Sequence, residues 1–231
     1  MTSRAIWLGL ALLAGAGAGA GGVVWWNGDQ KPAIEQAAAA KLEAARVDGI
    51  NQRIAAQWGA LANDPSDPVL GNPDGDVTIV AFFDYACAYC KAAEPRLMAA
   101  VARDGHTRLV LKEFPILTPE SMIATRAALA AARQGKYQTF HQAMMAWQGA
   151  LTPQVIADTA RQTGLDMARL EKDMQDPAIA EKVIGVFNLA RAIRAFQTPT
   201  FIAGNRLSAH VLGSQSAAID FTREIAIARG Q

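Results

Sequence analysis

The chain has 231 residues, a length that suits one domain with extensions and does not by itself settle the number of domains. Hydrophobic residues make up 51% of the sequence, which supports a packed core and argues against a disordered chain. The 22 basic residues nearly balance the 21 acidic ones, and no basic patch with interleaved aromatic residues occurs. We therefore expect no nucleic-acid partner.

The N-terminus predicts export by one of two routes. Arg4 precedes an uncharged run over residues 5–26 that begins with the apolar stretch IWLGLALL and continues with small A-x-A sites. This order is typical of a cleaved signal peptide. The alternative is a retained membrane anchor with Trp25 and Trp26 at the far interface, because a helix of that length spans about 33 Å. Both routes place the remainder outside the cytoplasm, in the periplasm or a similar oxidising compartment, and the second tethers it to the inner membrane.

Residues 27–64 are predicted to form a helical extension or linker. Apolar residues recur every four positions on both sides of Gly49, but the two sets are offset, which predicts two helical pieces joined at this glycine. The sets are Ile34, Ala38 and Leu42, and then Ile50, Ile54, Trp58 and Leu61. The segment either packs on its own domain, acts as a stalk, or associates with further copies of the chain through residues 31–61. These alternatives stay open, since the repeat is short for a coiled coil.

The main domain is predicted over residues 65–231 and starts with a strand–helix–strand unit. The stretch VTIVAFF, residues 77–83, is β-branched and aromatic without polar alternation, as in a strand buried on both faces. The helical stretch CKAAEPRLMAAVAR follows, and then RLVLKEF over residues 108–114 resembles the next central strand. This order implies a parallel strand pair with a right-handed crossover.

Several helices are predicted between Pro119 and Phe196, and a short terminal sheet segment follows them. Pro153 and Pro177 suit first turns of helices, whereas glycines between the helical stretches suit breaks. The stretch TPTFIAG, residues 198–204, predicts a strand, LSAHVL predicts its partner, and SAAIDFTREIAIAR predicts a closing amphipathic helix.

The two cysteines, Cys87 and Cys90, are the only thiols of the chain. A disulfide across two residues closes too small a loop to stabilise the fold much. A zinc site needs four ligands, and the three histidines are scattered along the chain. Haem attachment requires CxxCH, but Lys91 follows the second cysteine. The motif therefore predicts redox chemistry, in which the sulfurs carry the electrons and no cofactor is needed.

The sequence context assigns different roles to the two sulfurs. Cys87 stands where a buried strand ends and a helix begins, so backbone N–H groups and the helix dipole favour its thiolate. Cys90, one turn later, is expected to be more buried and protonated. Cys87 is then the attacking sulfur, Cys90 the resolving one, and exchange passes through a mixed disulfide with a client. A cis Thr198–Pro199 bond beside them would leave backbone groups free to pair with an extended client chain.

Four blocks in this order resemble the DsbA-like thiol–disulfide oxidoreductases: FFDYACAYC, KEFPIL at 112–117, QGKYQTFHQAMM at 134–145 and TPTF at 198–201. The resemblance implies an α/β thioredoxin-like fold with an inserted helical subdomain at about 118–196, preceded here by the helical extension. It also implies that Cys87 is nucleophilic, that Cys90 resolves, and that Pro199 is cis. Exported cysteine-containing clients and a membrane redox partner that resets the cysteines are the implied partners.

Two departures from the family pattern refine this prediction. Ala88 and Tyr89 stand where DsbA has Pro-His, so we expect a less oxidising disulfide. Ala81 occupies the place of a buried acid, and we expect Glu94 to pair with Lys112 and relay protons to Cys90, with an ordinary surface ion pair as the alternative. We expect His141 to pack or to cap a helix.

The direction of exchange stays open at this stage. Thr198 before the proline resembles the isomerase-like and ScsC-like branches, which tend to self-associate through N-terminal extensions. Disulfide formation in clients is the favoured function, and an oligomeric isomerase or reductase is the alternative. Two alternatives belong to a non-catalytic class of function. One is a periplasmic chaperone, and the other is a Cu(I)-binding module that uses the two thiolates.

Overall fold

The computed structural model describes residues 31–204, 209–213 and 219–230. They fall in two compact units, one ending at Leu42 and one beginning at Glu43. The described helices are α1 (Lys31–Ala56), α2 (Trp58–Ala62), α3 (Ala88–Asp104), α4 (Pro119–Arg133), α5 (Tyr137–Ala146), α6 (Pro153–Gln162), α7 (Met167–Met174), α8 (Pro177–Ile193) and α9 (Phe221–Arg229). The described strands are β1 (Val69–Gly71), β2 (Val77–Phe83), β3 (Thr107–Glu113), β4 (Thr200–Gly204) and β5 (Ala209–Gly213).

The strands form one mixed sheet in the order β1-β3-β2-β4-β5. Strands β2 and β3 run parallel, with Val77 opposite Thr107 and Phe83 opposite Glu113, so the predicted strand–helix–strand unit is confirmed. The remaining pairs are antiparallel. The three-residue edge strand β1 was not predicted from the sequence, because so short a segment carries no alternation pattern.

The sheet has an apolar core on each face, as the continuous apolar runs predicted. Alternate residues of β2 point to opposite sides. Val80 and Phe82 join the core beneath α2 and α8, whereas Ile79, Ala81 and Phe83 join the core that includes α3 and the helices of the insertion. Every residue of β2 is buried. The strand is therefore a rigid support for the segment that follows it.

The prediction of two helical pieces joined at Gly49 is wrong. Helix α1 continues through Gly49 and ends only at Ala56. A glycine inside a helix costs about 1 kcal/mol relative to alanine, which strong helix formers on both sides offset. Ile54 and Leu61 are fully buried in the core that contains Phe82, so this end of the segment packs on the sheet of its own unit. The domain division at residue 64 stays a prediction.

The helices α4 to α8 occupy the predicted insertion. Prolines begin α4, α6 and α8, and Thr118, Thr152 and Asp176 cap them through their side chains. Gly135 and Gly164 follow α4 and α6 with positive φ angles of 68° and 73°, as the predicted breaks require. Among the described helices, none has the length and apolar character to cross a membrane. The predicted signal peptide or anchor over residues 1–26 lies outside the described residues.

Candidate active site

The junction of β2 and α3 places Cys87 at the N-terminus of a helix. Cys87 is the N-cap residue of α3, and its sulfur accepts a hydrogen bond of 3.1 Å from the backbone N–H of Cys90. A sulfur in this position lies at the positive end of the helix dipole, among N–H groups that have no partner inside the helix. The location predicted from the strand-to-helix pattern is confirmed.

The segment before β4 lies against the cysteine pair. The Thr198–Pro199 peptide bond is cis, and the Cys87 thiol is 3.5 Å from the carbonyl oxygen of Thr198. Strand β4 pairs with β2, with Thr200 opposite Phe82, and this register brings residues a hundred positions apart together. The Thr198 hydroxyl is buried and has no hydrogen-bond partner of ordinary length among the described residues. It is therefore available to donate to a Cys87 thiolate.

The two sulfurs have opposite acidities. A hydrogen bond from the Cys90 thiol is the main cause that lowers the pKa of Cys87 to about 6, against the effect of burial. The Thr198 hydroxyl and the N–H groups of Cys90 and Tyr89 act in the same direction. Burial, and then the neighbouring Cys87, raise the pKa of Cys90 far above that of an ordinary thiol. The two residues are 3% and 2% exposed, so surface exposure alone does not distinguish them. The hydrogen bond from Cys90 is what lowers the pKa of Cys87, and burial is the largest cause that raises the pKa of Cys90.

We expect the rate of alkylation of the reduced protein to depend only on the fraction of Cys87 that is ionised. Its rate should rise with pH around a midpoint of about 6, because the thiolate is the nucleophile. At pH 7 a thiol with this pKa is roughly nine-tenths ionised, against a few per cent for an ordinary cysteine. Iodoacetamide kinetics between pH 4 and 9 with mass-spectrometric site assignment measure this. A midpoint near 8.5, or equal labelling of Cys90, would contradict it.

Asp84 fixes the loop that carries the cysteines. Its buried carboxylate accepts hydrogen bonds from the N–H groups of Ala86, Ile116 and Leu117, at 2.7 to 2.9 Å. The Ser121 hydroxyl also donates to it at 2.6 Å. Four donors satisfy a buried carboxylate, so this residue holds the start of the motif against the segment between β3 and α4.

Exposed apolar side chains occur in the segments that carry the site. Tyr89, between the two cysteines, and Phe196, two residues before Thr198, are each 69% exposed, and Leu117 and Trp147 are also exposed. Ala88 is exposed as well. Apolar surface beside a reactive sulfur suits contact with unfolded protein chains.

The predicted pair between Glu94 and Lys112 is wrong. Lys112 forms a buried ion pair with Asp67 and donates to the carbonyl oxygen of Ala60 at 2.7 Å. Glu94 lies instead 3.1 Å from Nε2 of His141. Lys112 belongs to the same strand face as Val110, toward α2, whereas Glu94 projects from α3 on the other side of the sheet.

A buried polar cluster beside the cysteines was missed by the sequence analysis. Glu113, at the end of β3, accepts hydrogen bonds from the hydroxyls of Tyr85, Tyr137 and Thr125. Tyr85 also contacts His141, so the histidine predicted to pack or cap takes part in this cluster. The signal was the acid at the end of the apolar run RLVLKEF, because an acid in a strand buried on both faces needs polar partners.

The mixed sheet, the dithiol at a helix N-terminus and the cis proline beside it define a thioredoxin-fold protein with a cysteine pair. The chain belongs to the DSBA-like thioredoxin domain family, whose model matches residues 78–219. The predicted family and the predicted fold with its inserted helices are thereby confirmed.

Solved structures with this fold support the assignment. A thioredoxin-like oxidoreductase from Silicibacter pomeroyi DSS-3 is 38% identical with a TM-score of 0.67, covering 75% of this chain and 98% of that one. The thiol-disulfide exchange protein alpha-DsbA2 from Wolbachia pipientis is 27% identical with a TM-score of 0.66, covering 72% and 90%.

The curated relatives that match first are longer proteins. The Na(+)/H(+) antiporter NhaA of Herminiimonas arsenicoxydans is 34% identical over 169 residues, which are 67% of this chain and 27% of the antiporter. The chain therefore spans about a quarter of the length of that relative.

Proposed function

We propose that the chain is a thiol–disulfide oxidoreductase that exchanges disulfides with other exported proteins. The observation that carries this proposal is the Cys87 sulfur at the start of α3, bonded to the N–H of Cys90 at 3.1 Å. A client sulfur forms a mixed disulfide with Cys87, and Cys90 resolves it. Pro199 and Thr198 lie against the attacking sulfur and offer the client a backbone to pair with.

Disulfide formation in clients is the direction that the acidities favour. A stabilised Cys87 thiolate stabilises the reduced pair, so the oxidised protein tends to pass its disulfide on. A pKa of about 6 lies between the values of about 3.5 for DsbA and about 7 for thioredoxin. Tyr89, exposed and uncharged, supplies no cation to the thiolate. We therefore expect a moderately oxidising pair, weaker than DsbA.

The partners and the location are part of the same proposal. Cysteine-containing exported proteins are the clients, a membrane redox protein resets Cys87 and Cys90, and no resident cofactor takes part. The chain acts in the periplasm or another extracytoplasmic space, with residues 5–26 as a signal or tether. Residues 35–48 of α1 are largely exposed, with Leu42 74% exposed, which supports self-association through residues 31–61.

An isomerase or reductase is the alternative that one observation favours. Thr198 places a hydroxyl beside Cys87, and several cysteine pairs in one oligomer around a client would favour reshuffling. In another class, a periplasmic chaperone would use the exposed apolar residues without the cysteines, and a Cu(I)-binding module would use both thiolates. Full function of Cys87→Ala would support the chaperone, and loss of copurifying metal in Cys90→Ser would support the metal-binding module.

An equilibrium titration of the cysteine pair against glutathione tests the direction. We expect a potential between about −120 mV, the value of DsbA, and about −200 mV. A value at or below about −200 mV would overturn the oxidase and favour the isomerase or reductase. The thiol state is best read by alkylation after acid quenching, because exchange stops when thiolates are protonated.

A further inference from the structure

The buried cluster forms a continuous chain of hydrogen-bonding groups from Glu113 to Glu94. The Tyr85 hydroxyl lies 3.0 Å from Oε1 of Glu113 and 3.0 Å from Nδ1 of His141. The other ring nitrogen of His141, Nε2, lies 3.1 Å from Oε1 of Glu94. His141 and Tyr85 are fully buried, whereas the Glu94 side chain is 12% exposed. This hydrogen-bonded series is therefore accessible to solvent only at Glu94.

The number of hydrogens needed for these contacts shows that the hydrogen-bonded series carries one more proton than ionised glutamates and a neutral histidine would supply. The Tyr85 hydroxyl has one hydrogen for two neighbours. If it donates to Glu113, both ring nitrogens of His141 need hydrogens, unless Glu94 is protonated. If it donates to His141 instead, Glu113 must carry a proton that reaches the Tyr85 oxygen. All of these contacts are hydrogen bonds only when the four side chains together hold one proton more than the state with two ionised carboxylates and a neutral imidazole.

The surroundings allow that proton to move along the chain. Burial raises the pKa of Glu113 to about 7, against the effect of His141 and of the three hydroxyls that donate to it. The Glu113 carboxyl thus takes up or loses a proton near neutral pH, and a shift of the Tyr85 hydrogen passes it to His141. Five side chains face His141 and Glu113. They are Phe83 at the end of β2, Tyr85 just after that strand, Glu94 from α3, Thr125 from α4 and Tyr137 from α5.

The resolving cysteine is the group that needs a proton. When two client thiolates reduce the Cys87–Cys90 disulfide, the client disulfide forms and the two electrons pass to the pair. Cys87 leaves as a thiolate, but burial keeps the pKa of Cys90 so high that its sulfur must take up one proton. Cys90 is 2% exposed, which limits direct delivery by water. Glu94 lies one helical turn after it on α3.

We propose that Glu94, His141, Tyr85 and Glu113 form a proton store that supplies Cys90 when the disulfide opens and is refilled from solvent at Glu94. The proposal rests on the proposed function. For each disulfide reduced, one proton passes from the store to Cys90 and one proton from water replaces it, so charge and atoms balance. His141 and Glu113 hold the proton, Tyr85 connects them, and Glu94 hands it on.

Two tyrosine variants separate the store from a purely structural role. Tyr85→Phe and Tyr137→Phe each remove one hydroxyl that donates to the same Oε1 of Glu113, at 3.0 and 2.8 Å. Only Tyr85→Phe disconnects His141, whose Nδ1 hydrogen then has no acceptor. At pH 7 we expect Tyr85→Phe to slow reduction of the disulfide by a thiol peptide roughly tenfold or more, and Tyr137→Phe to change it by less than about twofold.

The pH profile and an infrared measurement complete the test. Corrected for peptide thiolate, the rate of the unchanged protein should fall as the pH rises through about 7, where Glu113 loses its proton. This inflection should be absent in Tyr85→Phe, where Glu113 is disconnected from His141, and present in Tyr137→Phe. Time-resolved infrared spectra, recorded after reduction and before solvent refills the store, should show a transient loss of a protonated-carboxyl band that is absent in Glu113→Gln. Equal rates and profiles in both tyrosine variants, or no such band while the cysteines cycle normally, would overturn the store and leave the proposed function standing. Failure of the unchanged chain to exchange disulfides would overturn both.

Discussion

Cys90→Ser is expected to trap a covalent complex with client proteins, whereas Cys87→Ser should form none. At pH 7 the Cys87 thiolate attacks a client disulfide, and without the Cys90 sulfur the resulting mixed disulfide has no internal resolving group. A serine hydroxyl still donates a hydrogen bond to the Cys87 sulfur, so the main cause of its low pKa is kept. Incubation with scrambled ribonuclease followed by non-reducing gel electrophoresis measures the complex.

Cys90→Ala is the matched control for this experiment. It also removes the resolving sulfur, but it takes away the Cys90 side-chain donor and leaves only the Thr198 hydroxyl as a side-chain donor to Cys87. We expect the pKa of Cys87 to rise toward the ordinary value of about 8.5, which lowers the thiolate fraction at pH 7. The complex should therefore form more slowly than with Cys90→Ser. Equal rates for the two variants would contradict the role of the Cys90 hydrogen bond, and complexes with Cys87→Ser would contradict the assignment of the nucleophile.

Local patterns explain what the sequence could predict of this site. The run VTIVAFF predicted β2 with its observed bounds, because a strand buried on both faces leaves an unbroken apolar signature. Cys87 then falls at the strand-to-helix junction by chain order alone. The approach of Thr198 followed from the resemblance to a family, since no local pattern connects residues a hundred positions apart.

Side-chain partners across the sheet could not be predicted in this way. Lys112 and Glu113 are adjacent in sequence, and alternation along β3 sends them to opposite faces. Lys112 finds Asp67 on one side and Glu113 finds two tyrosines on the other. Which partner each takes depends on tertiary packing. The sequence shows only that two charged residues stand in a buried strand and need partners.

The two charged clusters on opposite faces have different consequences. The cluster around Glu113 joins neutral hydroxyls, a histidine and carboxyls whose protons can shift without large rearrangement. The cluster around Lys112 is an ion pair of side chains that are 1% and 0% exposed, so the Asp67 charge is what compensates the buried ammonium. We therefore expect substitutions in the first to change proton transfer and substitutions in the second to change stability.

Asp67→Ala is expected to lower the free energy of unfolding by roughly 3–5 kcal/mol, because it leaves Lys112 charged and unpaired in the protein interior. Burial already lowers the pKa of Lys112, and Asp67 is the largest influence that opposes this. Asp67 also pairs with Lys182 on α8, so the substitution releases the segment before β1 from both β3 and α8. Denaturant unfolding followed by circular dichroism measures the change.

Asp64→Ala is the matched control, because Asp64 pairs with the same Lys182 at 2.8 Å but does not contact Lys112. Its side chain is 38% exposed, so its loss should cost no more than about 1 kcal/mol. The double variant Asp67→Leu with Lys112→Met removes both buried charges and should recover most of the loss, since apolar side chains can replace a buried pair. If Asp67→Ala and Asp64→Ala cost the same, the buried pair is not what stabilises this face. If the double variant is no more stable than Asp67→Ala, the loss comes from packing and not from the unpaired lysine.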